Sequence, residues 1–212
     1  LKGSYGTGFK APSLFQLYSS FGNPTLQPGE SKGWDAGIEQ YGWQERVGFG
    51  ATYFRNDFTN LIDFDNNRFT YNNISTARTQ GVEWFGFIAP SPRARLRLNY
   101  TYTDAKDRTS GLALVRRPRH KWNMNADYDV NTNTSIHVDL RIVGQRTDTD
   151  FSSFPSTRLA LGRYEVVNLA ASYRLLPTLR ISARVDNLLN EKYEEVLGFG
   201  TVGVAGYAGI TL

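Results

Sequence analysis

Covalent catalysis has little to work with in this chain. Its 212 residues include no cysteine and only two histidines. His137 lies beside Asp139 and Arg141 in an alternating stretch, and His120 lies among Arg117, Arg119 and Lys121. A Ser–His–Asp relay needs a nucleophile held in place by the fold, and no Gly-x-Ser-x-Gly turn supplies one. No glycine-rich phosphate loop opens a helix. These residues read as polar lining, and the chain as a non-enzyme. One oxygen-rich cluster, Asp63, Asp65, Asn66 and Asn67, has a spacing that can hold calcium. It lacks glycine at the sixth position and glutamate at the twelfth, where Ile74 stands. Solvated loop acids are the simpler reading, and no other metal or cofactor is indicated.

The arginines carry the stronger signal. In Arg93–Thr103, residues Ala94, Leu96, Leu98, Tyr100 and Tyr102 alternate with Arg93, Arg95, Arg97, Asn99 and Thr101. A strand has period two, so this segment presents one apolar and one strongly polar wall. Three arginines on an inner face would not survive in the core of a soluble sandwich, but they suit a wide, wet lumen whose outer wall meets lipid. Trp122–Val130, Ile136–Ile142 and Leu179–Asp186 repeat the pattern. Trp122 and Tyr128 share the apolar register about 20 Å apart along the strand, which fits two aromatic girdles. The segment 76–89 is less regular, with Val82, Trp84, Phe85, Phe87 and Ile88 on both faces.

Composition agrees. The net charge of +4 comes from dispersed residues, and no Lys/Arg run points to nucleic acid. No apolar run approaches the length of a membrane helix, and the mean hydropathy of −0.43 is compatible with a barrel whose lumenal half is polar. The alternation predicts ten strands, at 1–8, 30–42, 45–58, 76–89, 93–105, 117–130, 134–147, 163–175, 178–188 and 204–212. Short turns fall near Gly42-Trp43-Gln44, Ala89-Pro90-Ser91-Pro92, Asn131-Thr132-Asn133 and Leu176-Pro177. Long connections cover 9–29, 59–75, 106–116, 148–162 and 189–203. Short turns on one side and long loops on the other describe an outer-membrane barrel. The fold class is therefore all-β, an antiparallel meander of about ten strands.

Two motifs add a resemblance. Gly8-Phe9-Lys10-Ala11-Pro12-Ser13-Leu14 leads into Gly22-Asn23-Pro24-Thr25-Leu26-Gln27-Pro28-Gly29-Glu30-Ser31, and Asp186-Asn187-Leu188-Leu189-Asn190-Glu191-Lys192-Tyr193 precedes the last strand. In this order and separation they resemble the signatures of TonB-dependent outer-membrane receptors. The resemblance implies that residues 1–212 are the C-terminal portion of a 22-stranded transmembrane β-barrel, with the plug domain and N-terminal strands absent. It implies a transporter in the bacterial outer membrane, in contact with its lipid. Uptake would use the receptor's own plug domain and energy from TonB.

Finer matches are similar to the cobalamin (vitamin B-twelve) branch: Arg55-Asn56-Asp57, Leu61–Asp65, Gly81-Val82-Glu83, Leu114–Arg117 and Asp150–Pro155. The ligand implied is cobalamin or a related corrinoid, with a siderophore (ferric chelate) as the alternative. By resemblance Arg116 sits at the substrate, and Phe151 stands where that branch has a tyrosine. Arg116, Phe151, Ser153, Phe154 and Tyr18 are the expected substrate contacts, with Asp63 and Asp65 as calcium candidates. Two rivals are an outer-membrane barrel enzyme, such as a phospholipase or protease, and a soluble ligand-binding β-domain whose apolar faces meet each other. The expected sheet is open and curved, with its first and last strands unpaired to one another.

Overall fold

The computed structural model describes residues 1–65 and 67–212, and for Ile74 and Ser75 the backbone alone. Asn66 of the oxygen-rich cluster lies outside the described residues. In chain order the elements are β1 (Lys2–Lys10), α1 (Leu14–Tyr18), β2 (Gly29–Gly42), β3 (Val47–Asp65), β4 (Thr70–Ser91), β5 (Ala94–Asp107), β6 (His120–Asp129), β7 (Thr134–Val143), β8 (Arg146–Asp150), β9 (Thr157–Leu161), β10 (Tyr164–Leu176), β11 (Leu179–Asp186), β12 (Glu194–Val196), β13 (Phe199–Gly200) and β14 (Ala205–Thr211). Ten of them form one antiparallel sheet, ordered β1-β2-β3-β4-β5-β6-β7-β10-β11-β14. β1 and β14 are its two edges and do not pair with each other. The remaining strands form two small hairpins, β8 with β9 and β12 with β13.

The register confirms both walls. Leu96 faces Ala126, which faces Val138, then Leu169 and Val185 across five strands. Ala94, Tyr128 and Ile136 form the next rung on that face, and Leu98, Met124 and Leu140 another. The opposite face carries Arg95 against Asp127 against His137, and Asn123 against Arg141. Arg184 lies on it opposite Ala170. No layer covers the apolar wall: Leu96 is 39% exposed, Ile181 41% and Tyr173 46%. The soluble alternative needs that wall packed against a second apolar sheet, and among the described residues the only other sheets are the two hairpins. The polar wall is cross-linked instead. Asp127 takes Arg97 at 3.5 Å and His137 at 2.8 Å, while Asp139 accepts from Asn125 at 2.7 Å and Asn168 at 3.0 Å.

The irregular β4 obeys the same parity. Val82, Trp84 and Ile88 take the apolar side, and Glu83, Phe85 and Phe87 the polar side. The two inward phenylalanines fit because β3 is glycine opposite them. A Cβ on Gly50 would lie 2.5 Å from the Phe85 ring, and one on Gly48 would strike Phe87. On the apolar side an aromatic band runs near the long-loop ends of the strands. Trp34 lies 5.2 Å from Tyr53 between ring centres, Tyr100 4.1 Å from Trp122, and Tyr102 5.4 Å from His120.

Three long connections are more ordered than the sequence suggests. β3 and β4 do not stop near 58 and 76 but stay paired to Asp65 opposite Thr70. Phe64 still faces Tyr71 across the arm, and Asn73 ties it to the Asn60 and Gln27 carbonyls at 2.7 and 2.9 Å. The β8–β9 hairpin takes up Arg146 and Thr147 of the expected strand 134–147 with most of the expected loop 148–162, and the expected loop 189–203 contains the β12–β13 hairpin. Two strand ends fall earlier than expected. β7 stops at Val143, where the Gly144 amide turns to the His120 carbonyl. β11 stops at Asp186, because Asn187 takes φ of 51° and its side chain clamps the following loop.

Candidate functional site

The long-loop end of the sheet gathers cations. Lys121, Val143 and Tyr164 form one rung of the polar wall, and Arg141 lies on the adjoining rung. Register alone therefore aims Lys121, Arg141 and Tyr164 into the same space. Arg116 and Arg146 arrive from the connections above. Together with Pro118, Val143, Glu195 and Val196 these residues line a cavity of about 260 Å³.

Asp148 holds this cluster together. Its side chain is wholly buried, yet all its bonds are to charged or amide donors. Oδ1 accepts from Arg116 Nε at 2.9 Å and from the Thr149 amide at 2.8 Å, and Oδ2 accepts from the Leu197 amide at 2.8 Å. Burial pushes the carboxyl up, but the two amides and the guanidinium outweigh it and hold the group below its ordinary range. One carboxylate thus joins the 108–119 connection, β8 and the β12–β13 hairpin. Arg116 has φ of 58°, and its amide donates to the Thr147 carbonyl at 2.8 Å.

Around it the aromatics and guanidiniums interleave. Tyr164 stacks on Tyr193 with ring centres 4.0 Å apart and donates to Glu195 at 2.8 Å. Arg141 donates to the Tyr193 hydroxyl at 3.0 Å and lies 5.7 Å over the Tyr164 ring. Arg146, only 5% exposed, lies 5.1 Å from the centre of the same Tyr164 ring and donates to the Glu194 carbonyl. Four cationic side chains line the cavity with Glu195 as the single acid in the lining, and Asp148 is already bound to Arg116. Arg141 reaches Glu195 at 3.9 Å, and Lys121 has no ion pair among the described residues. Such a cavity suits anionic oxygens, which guanidiniums bind in pairs of parallel hydrogen bonds.

The expected contacts divide between two places. Arg116 is in the cavity lining, and Phe151, Ser153 and Phe154 lie on the β8–β9 turn just beyond Asp148. Phe151 is 58% exposed, while Phe154 stacks at 6.0 Å on Phe69 at the tip of the β3–β4 arm. Tyr18, exposed on α1, belongs to the segment that meets that arm through Phe15 on Tyr71 and Phe21 on Phe64. Asp65 caps the arm's turn, accepting from the Asn67 and Arg68 amides at 2.9 and 3.2 Å, and Asp63 accepts from Phe64 at 2.9 Å. Asp148, Arg146, Tyr164, Tyr193 and Glu195 were not foreseen. Tyr164 was within reach of the period-two count, but Asp148 sits in a stretch expected to be loop.

Similarity to known proteins is consistent in kind. The family model "TonB dependent receptor-like, beta-barrel" matches residues 1–188. Among solved structures, the siderophore receptor PirA from Acinetobacter baumannii aligns over 98% of this chain and 38% of its own, at 18% identity and a TM-score of 0.81. The ferric enterobactin receptor PfeA from Pseudomonas aeruginosa aligns over 99% and 38%, at 21% identity and 0.80. The copper transporter OprC aligns over 98% and 36%, at 16% identity and 0.78. The chain spans a little over a third of the length of these three structures. These identities establish a shared fold, and the family match is the stronger statement. With its two-faced ten-stranded sheet and that match over residues 1–188, the chain belongs to the TonB-dependent receptor β-barrel family of the bacterial outer membrane.

Proposed function

We propose that this chain is the C-terminal portion of the barrel of a receptor that takes up an anionic metal chelate of the siderophore type. The cationic cavity carries this reading. Arg116, Lys121, Arg141 and Arg146 converge with the Tyr164–Tyr193 stack, and one lining carboxylate opposes them. Carboxylate, catecholate or hydroxamate oxygens around a metal match that lining in charge and in hydrogen-bond character. Similar folds include receptors whose names specify siderophores and a copper transporter, which supports a chelated metal as cargo. The rest of the barrel, the receptor's own plug domain and coupling to TonB belong to the same proposal. A corrinoid is the second reading, supported by the exposed Phe151 ring, which could pack on a flat macrocycle. It ranks lower because a corrin presents mainly neutral amides to four cations.

The deciding experiment titrates the purified full-length receptor with a ferric catecholate, a ferric hydroxamate and cyanocobalamin. Saturable binding of a ferric chelate, weakened in Arg141→Ala, is the expected result. Tight binding of cyanocobalamin with no response to either ferric chelate overturns it in favour of the corrinoid.

A further inference from the structure

The four cations of the loop-end cavity are not equivalent, because two have already spent their hydrogen bonds inside the protein. Arg146 donates from one terminal nitrogen to the Gly162 carbonyl at 3.4 Å and from the other to the Glu194 carbonyl. Arg141 gives one terminal nitrogen to the Tyr193 hydroxyl at 3.0 Å and sets the other 3.9 Å from Glu195. These two guanidiniums brace the tyrosine stack. Arg116 differs. It meets Asp148 through Nε, and no second partner among the described residues takes its terminal nitrogens. Lys121, on β6, has neither a hydrogen bond nor an ion pair among the described residues. Two cations of the same cavity are therefore held without an internal partner.

Three features restrict what they can take. Asp148 and Glu195 leave two of the four positive charges uncompensated, so the complement is an anion. The cavity, about 260 Å³, is smaller than the ~300–1,000 Å³ that houses a drug-sized ligand, so it admits one arm of a chelate and not the whole. Tyr164 is 4% exposed, covered by Tyr193 and the bracing guanidiniums, so it offers no open ring face to a catechol. An oxygen bound to a ferric ion has already given its electron pair and most of its charge to the metal. A free carboxylate keeps two bare oxygens, at the spacing a guanidinium fork matches. We propose that Arg116 and Lys121 together bind a free carboxylate at the edge of the chelate. The cargo is then a carboxylate-bearing ferric chelate, and Lys121 is a specificity-determining residue. This rests on the chain being part of a chelate receptor, and narrows that reading from any anionic chelate to one with an acid group left over from metal binding. Without such a group, two unpaired cations share one cavity and repel each other.

The test titrates the purified full-length receptor with two ferric trihydroxamates that differ in one group, a succinyl carboxylate in the first and its methyl amide in the second. A ferric triscatecholate, which has no free carboxylate, is titrated beside them. The carboxylate form should bind roughly 10- to 100-fold more tightly than its amide twin, the effect of a charge-assisted hydrogen-bonded pair. Arg116→Gln/Lys121→Gln should erase that gap, whereas Lys121→Arg should keep it, because the charge is retained. Equal affinity for the twins, tighter binding of the triscatecholate, or a gap that survives in the glutamine variant overturns the proposal while leaving a chelate receptor in place. Failure of the wider reading is distinct: none of the three ferric chelates binds and cyanocobalamin does, which overturns both.

Discussion

Replacing Asp148 with alanine should loosen three loops at once while leaving the sheet intact. The carboxylate accepts two amide hydrogen bonds and one from a guanidinium, at 2.8, 2.8 and 2.9 Å, and is fully buried. A hydrogen bond to a charged group contributes about 1.5–3 kcal/mol, and a buried ion pair broken on one side can cost about 3–5 kcal/mol. The larger figure is discounted here, because the Arg116 side chain is 40% exposed and rehydrates when its partner leaves. The Leu197 and Thr149 amides lose their acceptor outright. A local cost of about 2–3 kcal/mol follows, equivalent to a ~30- to 150-fold loss of protection at those amides. Hydrogen exchange by mass spectrometry on the full-length receptor reads this directly, with peptides covering residues 108–119, 146–161 and 194–200 accelerating together. The native Asp148 carboxyl is held below its ordinary range, so its contribution is complete above that range and is lost as pH falls through the lowered value. Protection in these segments, taken relative to the intrinsic exchange rate at each pH, should therefore be insensitive to that group between pH 7 and 5 and fall only in stronger acid. Unchanged exchange at Leu197 and Thr149 in Asp148→Ala would refute the keystone role.

Other consequences are as specific. Leu140→Arg, on the lipid wall, should destabilise the barrel by about 2–4 kcal/mol in a folding titration, whereas Asn125→Arg, across the sheet on the lumenal wall, should cost far less. Gly81→Ala should lower the thermal transition of the full-length receptor clearly, since its Cβ would collide with the Tyr102 carbonyl oxygen between β4 and β5. Arg116→Ala should weaken chelate binding by about 1–3 kcal/mol in a direct titration, and unchanged binding would remove Arg116 from the site. Phe154→Ala should release the tip of the β3–β4 arm at a cost of about 0.5–1.5 kcal/mol, read as faster exchange near Phe69.

What could be read without coordinates was whatever period two controls. Ala94–Tyr102 and Ile136–Ile142 alternate so regularly that their faces followed, and Arg141 was placed inward correctly. The β4 phenylalanines were ambiguous for a physical reason: their partners are glycines one strand away, and pairing register is a nonlocal quantity. The β3–β4 arm was cut short because Asn and Asp between 59 and 75 look like turn formers, whereas Asn73 spends its amide bridging strands. Asp148 escaped notice because its meaning lies in Leu197 and Arg116, each more than thirty residues away. Cavities built from loop contacts leave little periodic trace.

The β3–β4 hairpin sets a mechanical scale. Its strands run 19 and 22 residues, and a tilted membrane strand needs about 9–11. Roughly eight residues of β3 are left over, or ~25 Å of paired backbone rising as a mast above the bilayer. A two-stranded ribbon resists stretching but bends easily out of its plane, so an unbraced mast would sweep a wide arc and pass incoming molecules at random heights. The Phe69–Phe154 stack is a strut near its tip, anchored to a hairpin that Asp148 fixes to the rim. Together with the Phe15–Tyr71 and Phe21–Phe64 contacts on the same arm, it converts sway into a small set of tilts, so how far the mast leans becomes a property of three ring contacts.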